Sequence, residues 1–476
     1  MENKNKEILD TRFLARIVIE AETPLSVKSG DFDFYADSLV IRDVNGLPCI
    51  PGSSLAGVIR SGWKLAGKDD KVLFGFQGSG NEGMGSRVVI SEARVLNAAG
   101  AVMDGLQENV WSDSLLSHYK RLPIRQHVHI NERGVSERTG LFNEELVYAG
   151  TRFCFEMEFL GRQAEEKDFQ QLMGILSDAS FRLGGGTRKG FGQIKVVRID
   201  YTVLPVNSER YLEKSSNLEE SKEWYKKCQQ RENTAYDITI GKWTEYCLSL
   251  KQDSLALFGA AYGDEESDIV PVKESRVYWS EEKGRLKEGF FLIPATSVKG
   301  ALAHRVAFYY NKFTRRFADQ LDASDMKKWI GTNNLAVRAL FGTAGTTDEK
   351  QQRGNVIISD LFIDQKVVTE KVLNHVAIDR FTGAPIEGAL FTEKAMYIKD
   401  IPLNLVVRVN QDKVRELVER AYPNNKEESK RQLEGILSSL EKSLKELCNG
   451  LLPLGGGVNR GHGRFYGEMK GGRSNE

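Results

Sequence analysis

The sequence predicts an α+β fold built from two tandem repeats, and three observations lead to this prediction. A glycine-rich stretch occurs twice, as Leu183-Gly-Gly-Gly-Thr-Arg-Lys-Gly-Phe-Gly192 and as Leu454-Gly-Gly-Gly-Val-Asn-Arg-Gly-His-Gly463. Each copy follows a helical-looking segment and leads into a strand-like tail. Other landmarks recur in the same order upstream of each copy, and ordered self-similarity of this kind is the signature of an internal repeat.

The composition is that of an ordinary globular protein. The 476 residues are 41% hydrophobic, which can supply a core for two or three domains. No apolar run approaches the length that spans a bilayer, and the N-terminus lacks the apolar core of a signal peptide. We therefore expect no membrane partner and a cytoplasmic location. The five cysteines are scattered and never form a Cys-x-x-Cys pair, so we expect reduced thiols.

The charges of the chain balance. Lys and Arg together number 66, and so do Asp and Glu. Without a global basic field, any anion binding must be placed by particular loops. This balance argues against a general nucleic-acid-binding protein, but not against a subunit that holds RNA within a larger assembly.

The first repeat is predicted over residues 1–205. Apolar and β-branched residues at 13–20 indicate a strand, and a polar stretch follows at 31–37. A hairpin is predicted at 38–50 around the turn signal Asn45-Gly46. A helix is predicted within 51–64, starting after Ser53 or Ser54 as its N-cap.

The second repeat is predicted over residues 241–476 and has the same order of elements. Its first strand is at 243–250, and Pro294-Ala-Thr-Ser-Val-Lys-Gly300 matches Pro51-Gly-Ser-Ser-Leu-Ala-Gly57 position by position. Helical stretches at 169–179 and 429–447 precede the two glycine-rich stretches. Residues 206–240 read as a charged linker, and residues 306–329 as a helical insertion of the second repeat.

The glycine triplets are candidate anion-binding loops. Glycine lets backbone amides approach a phosphate closely, and neighbouring cations add charge. A dinucleotide-binding fingerprint would need the glycines to follow a strand and open a helix, whereas here a helix precedes and a strand follows. A tight turn without a ligand would explain one triplet; two triplets with nearby cations favour binding. The candidate residues are Gly184, Gly185, Gly186, Arg188, Lys189, Gly455, Gly456, Gly457 and Arg460.

The two matched helix starts are a second candidate for phosphate contacts. The N-terminus of a helix presents free amides to an anion. Plain N-capping is the alternative explanation for the hydroxyl groups. The candidate residues are Ser53, Ser54, Arg60 and Lys64 in the first repeat, and Thr296, Ser297, Lys299 and Arg305 in the second.

The order of strand, acidic loop, hairpin, Ile50-Pro-Gly-Ser-Ser-Leu-Ala-Gly57 and terminal glycine stretch resembles the repeat-associated mysterious protein (RAMP) superfamily. Each half resembles a backbone subunit of type III CRISPR effector complexes, fused in tandem as in type III-D systems. The resemblance implies ferredoxin-like domains, related to the RNA-recognition motif, with thumb β-hairpins. It also implies guide RNA, complementary target RNA and other subunits of the effector complex as partners. The glycine loops and helix starts would then contact guide RNA.

The resemblance further implies that an aspartate before the hairpin cleaves target RNA, a role that falls on Asp37. The segment Asp37-Ser-Leu-Val-Ile-Arg-Asp43 aligns without a gap on Asp268-Ile-Val-Pro-Val-Lys-Glu274. An acid stands first, a cation sixth and an acid seventh in both. The second candidate is therefore Asp268.

Other acids stay open as alternatives. Asp31 and Asp33 lie close to Asp37, and counting back from Pro294 would place Glu274 near the active position. We prefer Asp268 because lengthening a hairpin costs little. An aspartate is a weak base at neutral pH, so Asp37 and Asp268 are expected to hold Mg²⁺ or another divalent cation, or a water, or to be activated by local burial. A solvated loop acid is the plain alternative.

Residues 127–148 and 375–397 resemble the thumb of the family. The stretch Asp379-Arg380-Phe-Thr-Gly383 is close to its pattern, whereas Asn131-Glu132 departs from it. The resemblance makes Arg380 an RNA-binding candidate and suggests that Phe381 or Leu390 could wedge into a duplex and splay one nucleotide outward.

Two further functions remain as alternatives. The chain could be a non-catalytic RNA-binding scaffold of the same complex, or a guide-RNA-processing endoribonuclease that would use a histidine or another general base. The six histidines form no recognised zinc pattern, and a strand with one face buried explains His127-x-His129 more simply than a metal site.

Overall fold

The computed structural model describes residues 9–79, 82–131, 134–231, 238–260, 262–320, 326–343 and 351–472. The fold is mixed α/β, with antiparallel sheets and, in these ranges, eight α-helices. No helix of the described residues is long and apolar enough to cross a membrane.

The first part of the chain contains ten strands and four α-helices. The strands are β1 Thr11–Ala21, β2 Phe76–Gln77, β3 Gly83–Met84, β4 Val88–Ile90, β5 Arg94–Val95, β6 Ile124–Ile130, β7 Ser136–Glu145, β8 Arg152–Gly161, β9 Ile194–Pro205 and β10 Gln229–Arg231. The helices are α1 Gly52–Leu65, α2 Asp70–Phe74, α3 Glu166–Ser177 and α4 Ser221–Tyr225.

The second part contains eleven strands and four α-helices within the described residues. The strands are β11 Trp243–Gln252, β12 Lys273–Ser280, β13 Lys283–Ile293, β14 Gly342–Thr343, β15 Gln352–Arg353, β16 Val356–Ile358, β17 Leu361–Ile363, β18 Val368–His375, β19 Phe391–Ile398, β20 Leu403–Asn410 and β21 Phe465–Gly471. The helices are α5 Ala295–Phe313, α6 Leu335–Phe341, α7 Gln411–Ala421 and α8 Lys426–Cys448.

The main sheets of the two parts have the same strand order. The first runs β10-β9-β1-β8-β4, with β5 also paired to β8, and the second runs β16-β20-β11-β21. The matched strands are β1, β4, β8 and β9 in the first repeat and β11, β16, β20 and β21 in the second. Numbered one to four along the chain, they lie in both sheets in the order fourth, first, third, second. Helices follow the first and third of these strands in each case, so the duplication read from the sequence extends to the topology.

The central strand β1 is buried on both faces. Phe13, Ile17 and Ile19 belong to one core with residues of α1 and α3. On the opposite face, Leu14 packs against Tyr225 and Val18 packs against Leu218. A strand covered on both sides reads as a nearly continuous apolar run, and this explains the sequence of β1.

The segment expected to be a charged linker supplies that second cover. The Arg16 guanidinium donates a hydrogen bond to the Leu218 carbonyl at 3.2 Å, and β10 extends the first sheet by pairing with β9. Residues 206–231 therefore fold onto the first repeat, because their few apolar residues pack against the face of β1 that α1 and α3 leave uncovered. Residues 232–237 lie outside the described part of the chain.

Helix α1 begins earlier than its sequence suggested. Its N-cap is Pro51, which makes no side-chain capping hydrogen bond, so the prediction that Ser53 or Ser54 caps the helix was wrong. Proline has the φ angle of a residue that enters a helix, and Pro294 caps α5 in the same way. The helical insertion begins as a continuation of α5 to Phe313 rather than as a separate α-helix.

A buried ion triad joins the two repeats. Arg125 of β6 donates to the Glu274 carboxylate at 2.7 and 2.6 Å, and it also pairs with Asp360, whose side chain is fully buried. Nearby, the strand pair β12–β13 packs on the first repeat, where Trp279 Nε1 donates to the Gly150 carbonyl at 2.7 Å. The repeats thus share a packed and charged interface.

Candidate functional site

Both candidate acids are clasped, that is, held by hydrogen bonds, by one strand of a neighbouring strand pair. The first hairpin, β6–β7, and the second hairpin, β18–β19, are two-stranded antiparallel sheets. The Asn143 amide donates to Asp37 Oδ2 at 2.8 Å, and the Asp37 amide donates to the Asn143 carbonyl at 3.0 Å. In the second repeat, the Thr392 amide and hydroxyl donate to Asp268 Oδ2 at 2.7 and 3.0 Å.

The loops that lead to these acids are built alike. Asp33 Oδ1 accepts hydrogen bonds from the amides two and three residues later, and Asp264 Oδ1 does the same. In each loop the residue directly before the candidate acid is buried, while Asp37 and Asp268 are exposed. The gapless alignment of Asp37 with Asp268 therefore corresponds to an equal placement in space.

The alternative acids have other contacts. The Asp33 carboxylate is engaged in the turn just described, and Glu274 is paired with Arg125 at the repeat interface. Asp31 is exposed on the same loop as Asp37. Hydrogen bonds from the Thr392 amide and hydroxyl hold the pKa of Asp268 below its usual value, so this group is ionised at neutral pH.

A buried glutamate lies directly after each clasping residue, and sequence reasoning missed both. Glu144 follows Asn143, and its Oε1 accepts from Lys28 Nζ at 3.0 Å and from Lys189 Nζ at 2.9 Å. His127 Nε2 lies 3.3 Å from Glu144 Oε2. Burial alone would raise the pKa of Glu144, but the contacts with His127, Lys189 and Lys28 outweigh it and hold the pKa well below its usual value.

The second repeat has the same arrangement around Glu393. This side chain is fully buried, His375 Nε2 lies 3.1 Å from it, and Arg460 pairs with its other oxygen. His462 Nδ1 is 3.6 Å away. In each repeat the glycine loop supplies one cation and the hairpin supplies one histidine, so that one carboxylate connects the two elements beside the clasped acid.

A weak sequence signal for these clusters existed. The aligned segments contain His127 and His375, and an acidic residue follows Asn143 as it follows Thr392. The expectation that one buried strand face explains both histidines holds for His127 only, because His127 is buried and His129 is exposed. The pairing with a glutamate 17 or 18 residues further along the chain could not be predicted from local periodicity. Within the described ranges, no group of three or more His, Cys, Asp or Glu side chains is arranged to hold a metal ion.

The glycine loops pack against the chain that follows β1 and β11. The Gly185 amide donates to the Ser26 carbonyl at 2.6 Å, and the Gly456 amide donates to the Leu257 carbonyl at 2.7 Å. A Cβ on Gly184 would lie 2.7 Å from Ser26 O, and the residue has a φ of +79°. The middle amide of each triplet is therefore used within the fold, and glycine is required by close backbone approach.

Several predicted RNA-binding cations have internal partners. Lys189 and Arg460 contact the buried glutamates, Arg60 pairs with Asp70 at 2.5 Å, and Arg305 pairs with Glu446 at 2.6 Å. The remaining residues predicted to contact phosphate lie on α1 and α5 and are half-buried or exposed. They are Ser53, Ser54, Lys64, Thr296, Ser297 and Lys299.

The loop of the second hairpin is open to solvent. Asp379 Oδ1 accepts from the amides of Phe381 and Thr382, which closes a tight turn. Arg380 is exposed, and the Phe381 side chain is 99% exposed. Leu390 is exposed as well. In the first hairpin loop, Asn131 is described, but Glu132 lies outside the described residues.

Comparison with known proteins assigns the family. A search of curated proteins found no match to the chain. The family model described as the RAMP superfamily matches residues 18–195 and 255–466, which is most of the chain in two regions. Proteins of this superfamily bind RNA and work in multisubunit complexes, and the two regions correspond to the two repeats of the structure. The chain belongs to the RAMP superfamily as a tandem protein with two RAMP regions.

Proposed function

We propose that the chain is a double backbone subunit of a type III CRISPR effector complex, which binds guide RNA and cleaves complementary target RNA at Asp37 and Asp268. One observation carries this proposal. Two exposed aspartates, 231 positions apart in the sequence, each accept a hydrogen bond on Oδ2 from a backbone amide of the adjoining hairpin. Two copies of one loop geometry, each ending in an exposed carboxylate, suit two successive cleavage sites.

The domains are proposed to be ferredoxin-like. The strand order fourth, first, third, second, with helices after the first and third strands, supports this assignment in both repeats. The two hairpins are proposed to act as thumbs between guide and target, with Phe381 and Leu390 exposed where a duplex could be wedged open.

RNA cleavage requires the ribose 2′-hydroxyl to stand in line with the scissile phosphate. The clasps fix each aspartate, so a splayed nucleotide would meet a carboxylate whose position is set before RNA binds. Each clasp uses Oδ2, and no hydrogen bond to Oδ1 of Asp37 or Asp268 occurs within the described part of the chain. A carboxylate with one open oxygen fits a Mg²⁺ or other divalent ion that keeps most of its waters. When bound there, such an ion would stabilise negative charge on the phosphate.

The test is target-RNA cleavage by the assembled complex. Complexes carrying Asp37→Ala, Asp268→Ala or both would be compared with wild type at equal RNA occupancy. We expect each single variant to lose one distinct product and the double variant to lose both. Glu274→Gln is the matched control for the second repeat, and it should keep both products.

The same experiment addresses a non-catalytic scaffold, because two alanine variants with unchanged products would contradict the nuclease proposal. Cleavage of precursor guide RNA in the absence of target would instead indicate a guide-processing enzyme.

A further inference from the structure

An exposed aromatic pair lies on the loop that leads to the first candidate acid. The side chains of Phe34 and Tyr35 are 95% and 68% exposed, and their rings meet edge to face with centroids 5.4 Å apart. Phe32, on the same loop, is exposed as well. Aromatic side chains are strongly favoured in a protein interior, so several of them exposed on one loop indicate a surface that binds something. This surface lies directly before Asp37 in the chain.

The backbone that carries the pair is fixed by hydrogen bonds. Asp33 Oδ1 accepts from the amides of Tyr35 and Ala36, both at 2.8 Å. Asn143 Nδ2 donates to the Tyr35 carbonyl at 3.2 Å, while the backbone amide of the same Asn143 donates to Asp37 Oδ2 at 2.8 Å. One hairpin residue therefore holds both the loop of the aromatic pair and the candidate acid, and the two are kept side by side.

The second repeat shows that the fold does not require aromatic side chains at these positions. Its loop contains the same turn, in which Asp264 Oδ1 accepts from the amides two and three residues later. At the positions aligned with Phe34 and Tyr35, however, it has Glu265 and Glu266, and both are exposed. Two loops of one geometry with such different side chains indicate that the aromatic pair serves a ligand of the first site and not the fold.

The second loop does have one exposed aromatic side chain, but in another place. Tyr262 is 76% exposed and aligns with Asp31. The turn that begins at Asp264 separates Tyr262 from Asp268, whereas Phe34 and Tyr35 lie between the corresponding turn residue and Asp37. The pair beside the acid is thus a property of the first site alone.

The chemistry of the pair suits the base of a nucleotide. Every RNA base has an aromatic face, so a base can stack on a protein ring whatever its identity. The charged side chains on this loop are the carboxylates of Asp31, Asp33 and Asp37, and like charges repel a phosphate. The uncharged base is therefore the part of an RNA chain that fits here.

We propose that Phe34 and Tyr35 form a stacking platform for one unpaired base of the target RNA at the first cleavage site, and that the second site has no such platform. The proposal rests on the proposed function and deepens it, because it names the part of the target that the first site binds besides the scissile phosphate. A nucleotide whose base is stacked beside Asp37 has less freedom to turn its ribose away from the carboxylate.

The test combines a change in the protein with the removal of one base from the target. Guide-loaded complexes would be prepared with the wild-type chain and with a chain carrying Phe34→Ala and Tyr35→Ala. The targets would be 2′-fluoro RNAs, which have no 2′-hydroxyl and stay intact, each with a single abasic nucleotide at a different position along the guide-paired region. The dissociation rate of each labelled target would be measured by filter binding after a chase with unlabelled target.

We expect one position at which the two changes are coupled. Removing the base there, or removing the two rings, should each speed dissociation by roughly 5- to 150-fold, the value of one base–aromatic stack. Both changes together should have no greater effect than either alone, because they remove the same interaction. At all other positions the effects should be independent.

Three control variants separate stacking from other contacts. Phe34→Trp keeps an aromatic ring and should keep the coupling, whereas Phe34→Leu keeps an apolar side chain without a ring and should weaken it. Glu265→Ala makes the matched change in the second loop and should couple with no abasic position. Because the pair is exposed, the alanine variants should fold and keep the thermal midpoint of wild type.

Several results would overturn the proposal. Independent effects at every target position, or full coupling in Phe34→Leu, would show that no base stacks on these rings. Coupling with an abasic guide instead of an abasic target would assign the platform to the wrong strand. Loss of a subunit from the alanine complex, seen by native mass spectrometry, would make the pair a protein contact. Cleavage plays no part in these measurements, so coupling in a complex that cuts nothing would support the platform and contradict the nuclease, and normal cleavage without coupling would do the reverse.

Discussion

The buried glutamate of the first repeat allows a stability prediction that can be worked out from its contacts. Glu144→Gln removes the negative charge that faces Lys28, Lys189 and His127. Breaking a fully buried ion pair typically costs roughly 3–5 kcal/mol. The lysine side chains are 43% and 31% exposed, so they can turn towards water after the change. We therefore expect a loss of about 1–3 kcal/mol in the free energy of unfolding.

The measurement is urea unfolding of the full chain near neutral pH and over a descending pH series. The pKa of Glu144 is lower in the folded protein than its ordinary value of 4.5. The stabilisation from its charge is therefore complete above that ordinary value and is lost as the pH falls through the lower folded value. The difference between wild type and Glu144→Gln should be constant near neutral pH and shrink below about pH 4.5.

Two variants serve as controls for this prediction. Glu393→Gln makes the matched change in the second repeat, where the carboxylate is also buried and contacts Arg460 and His375, and should destabilise the protein similarly. Glu245→Gln removes an exposed glutamate paired with Arg408 and should change stability by less than about 0.5 kcal/mol. The reasoning fails if Glu144→Gln is as mild as Glu245→Gln, or if its effect does not depend on pH.

Three further predictions test the clasps and the repeat interface. Glu274→Gln should lower the free energy of unfolding by roughly 1–3 kcal/mol, because it weakens the buried pair with Arg125. The cleavage products should stay unchanged. Loss of one product would make Glu274, and not Asp268, the catalytic acid of the second repeat. Thr392→Val keeps the backbone donor to Asp268 but removes the hydroxyl donor. In single-turnover cleavage it should slow the second site by roughly 2- to 10-fold, because one hydrogen bond contributes about 0.5–1.5 kcal/mol. The rate at which the first product forms should not change. Gly190→Ala places a Cβ 2.5 Å from a carboxylate oxygen of Asp360 in the second repeat, at a residue whose φ is +104°. The thermal midpoint of this variant should therefore fall by several degrees. An unchanged midpoint would show that the interface differs from the one described.

Much of the fold was predictable because it depends on local pattern. The strand predicted at 13–20 is β1, and the helix predicted at 169–179 is α3 with shifted ends. The fold of the charged segment after residue 205 was harder to predict, because its few apolar residues become part of a core only through contact with the outer face of β1. The start of α1 was misplaced since capping propensity favoured serine, whereas the neighbouring proline already supplies the entry geometry.

The candidate site was predictable only in part, for a related reason. The alignment of Asp37 with Asp268 uses residues that are consecutive in the sequence, and the structure places those two acids alike. The buried glutamates depend instead on three elements that meet in space, so no local spacing reveals them. The roles of the predicted cations were equally hidden, because a cation near a glycine triplet can face a buried acid or solvent.

The two glycine loops differ in one respect that separates the roles of their cations. At aligned positions, Lys189 corresponds to Arg460, and each of these contacts the buried glutamate of its own repeat. Arg188, which reaches across to Gly354, corresponds to Asn459, an exposed and uncharged residue. The inward cation thus belongs to the structure common to both repeats, since it survives the exchange of lysine for arginine. Arg188, which contacts the second repeat, has no cationic counterpart in the second glycine loop, where Asn459 stands at the aligned position. Neutralising Lys189 should accordingly resemble Glu144→Gln in its effect on stability, whereas neutralising Arg188 weakens a contact with Gly354 and leaves Glu144 paired with both lysines.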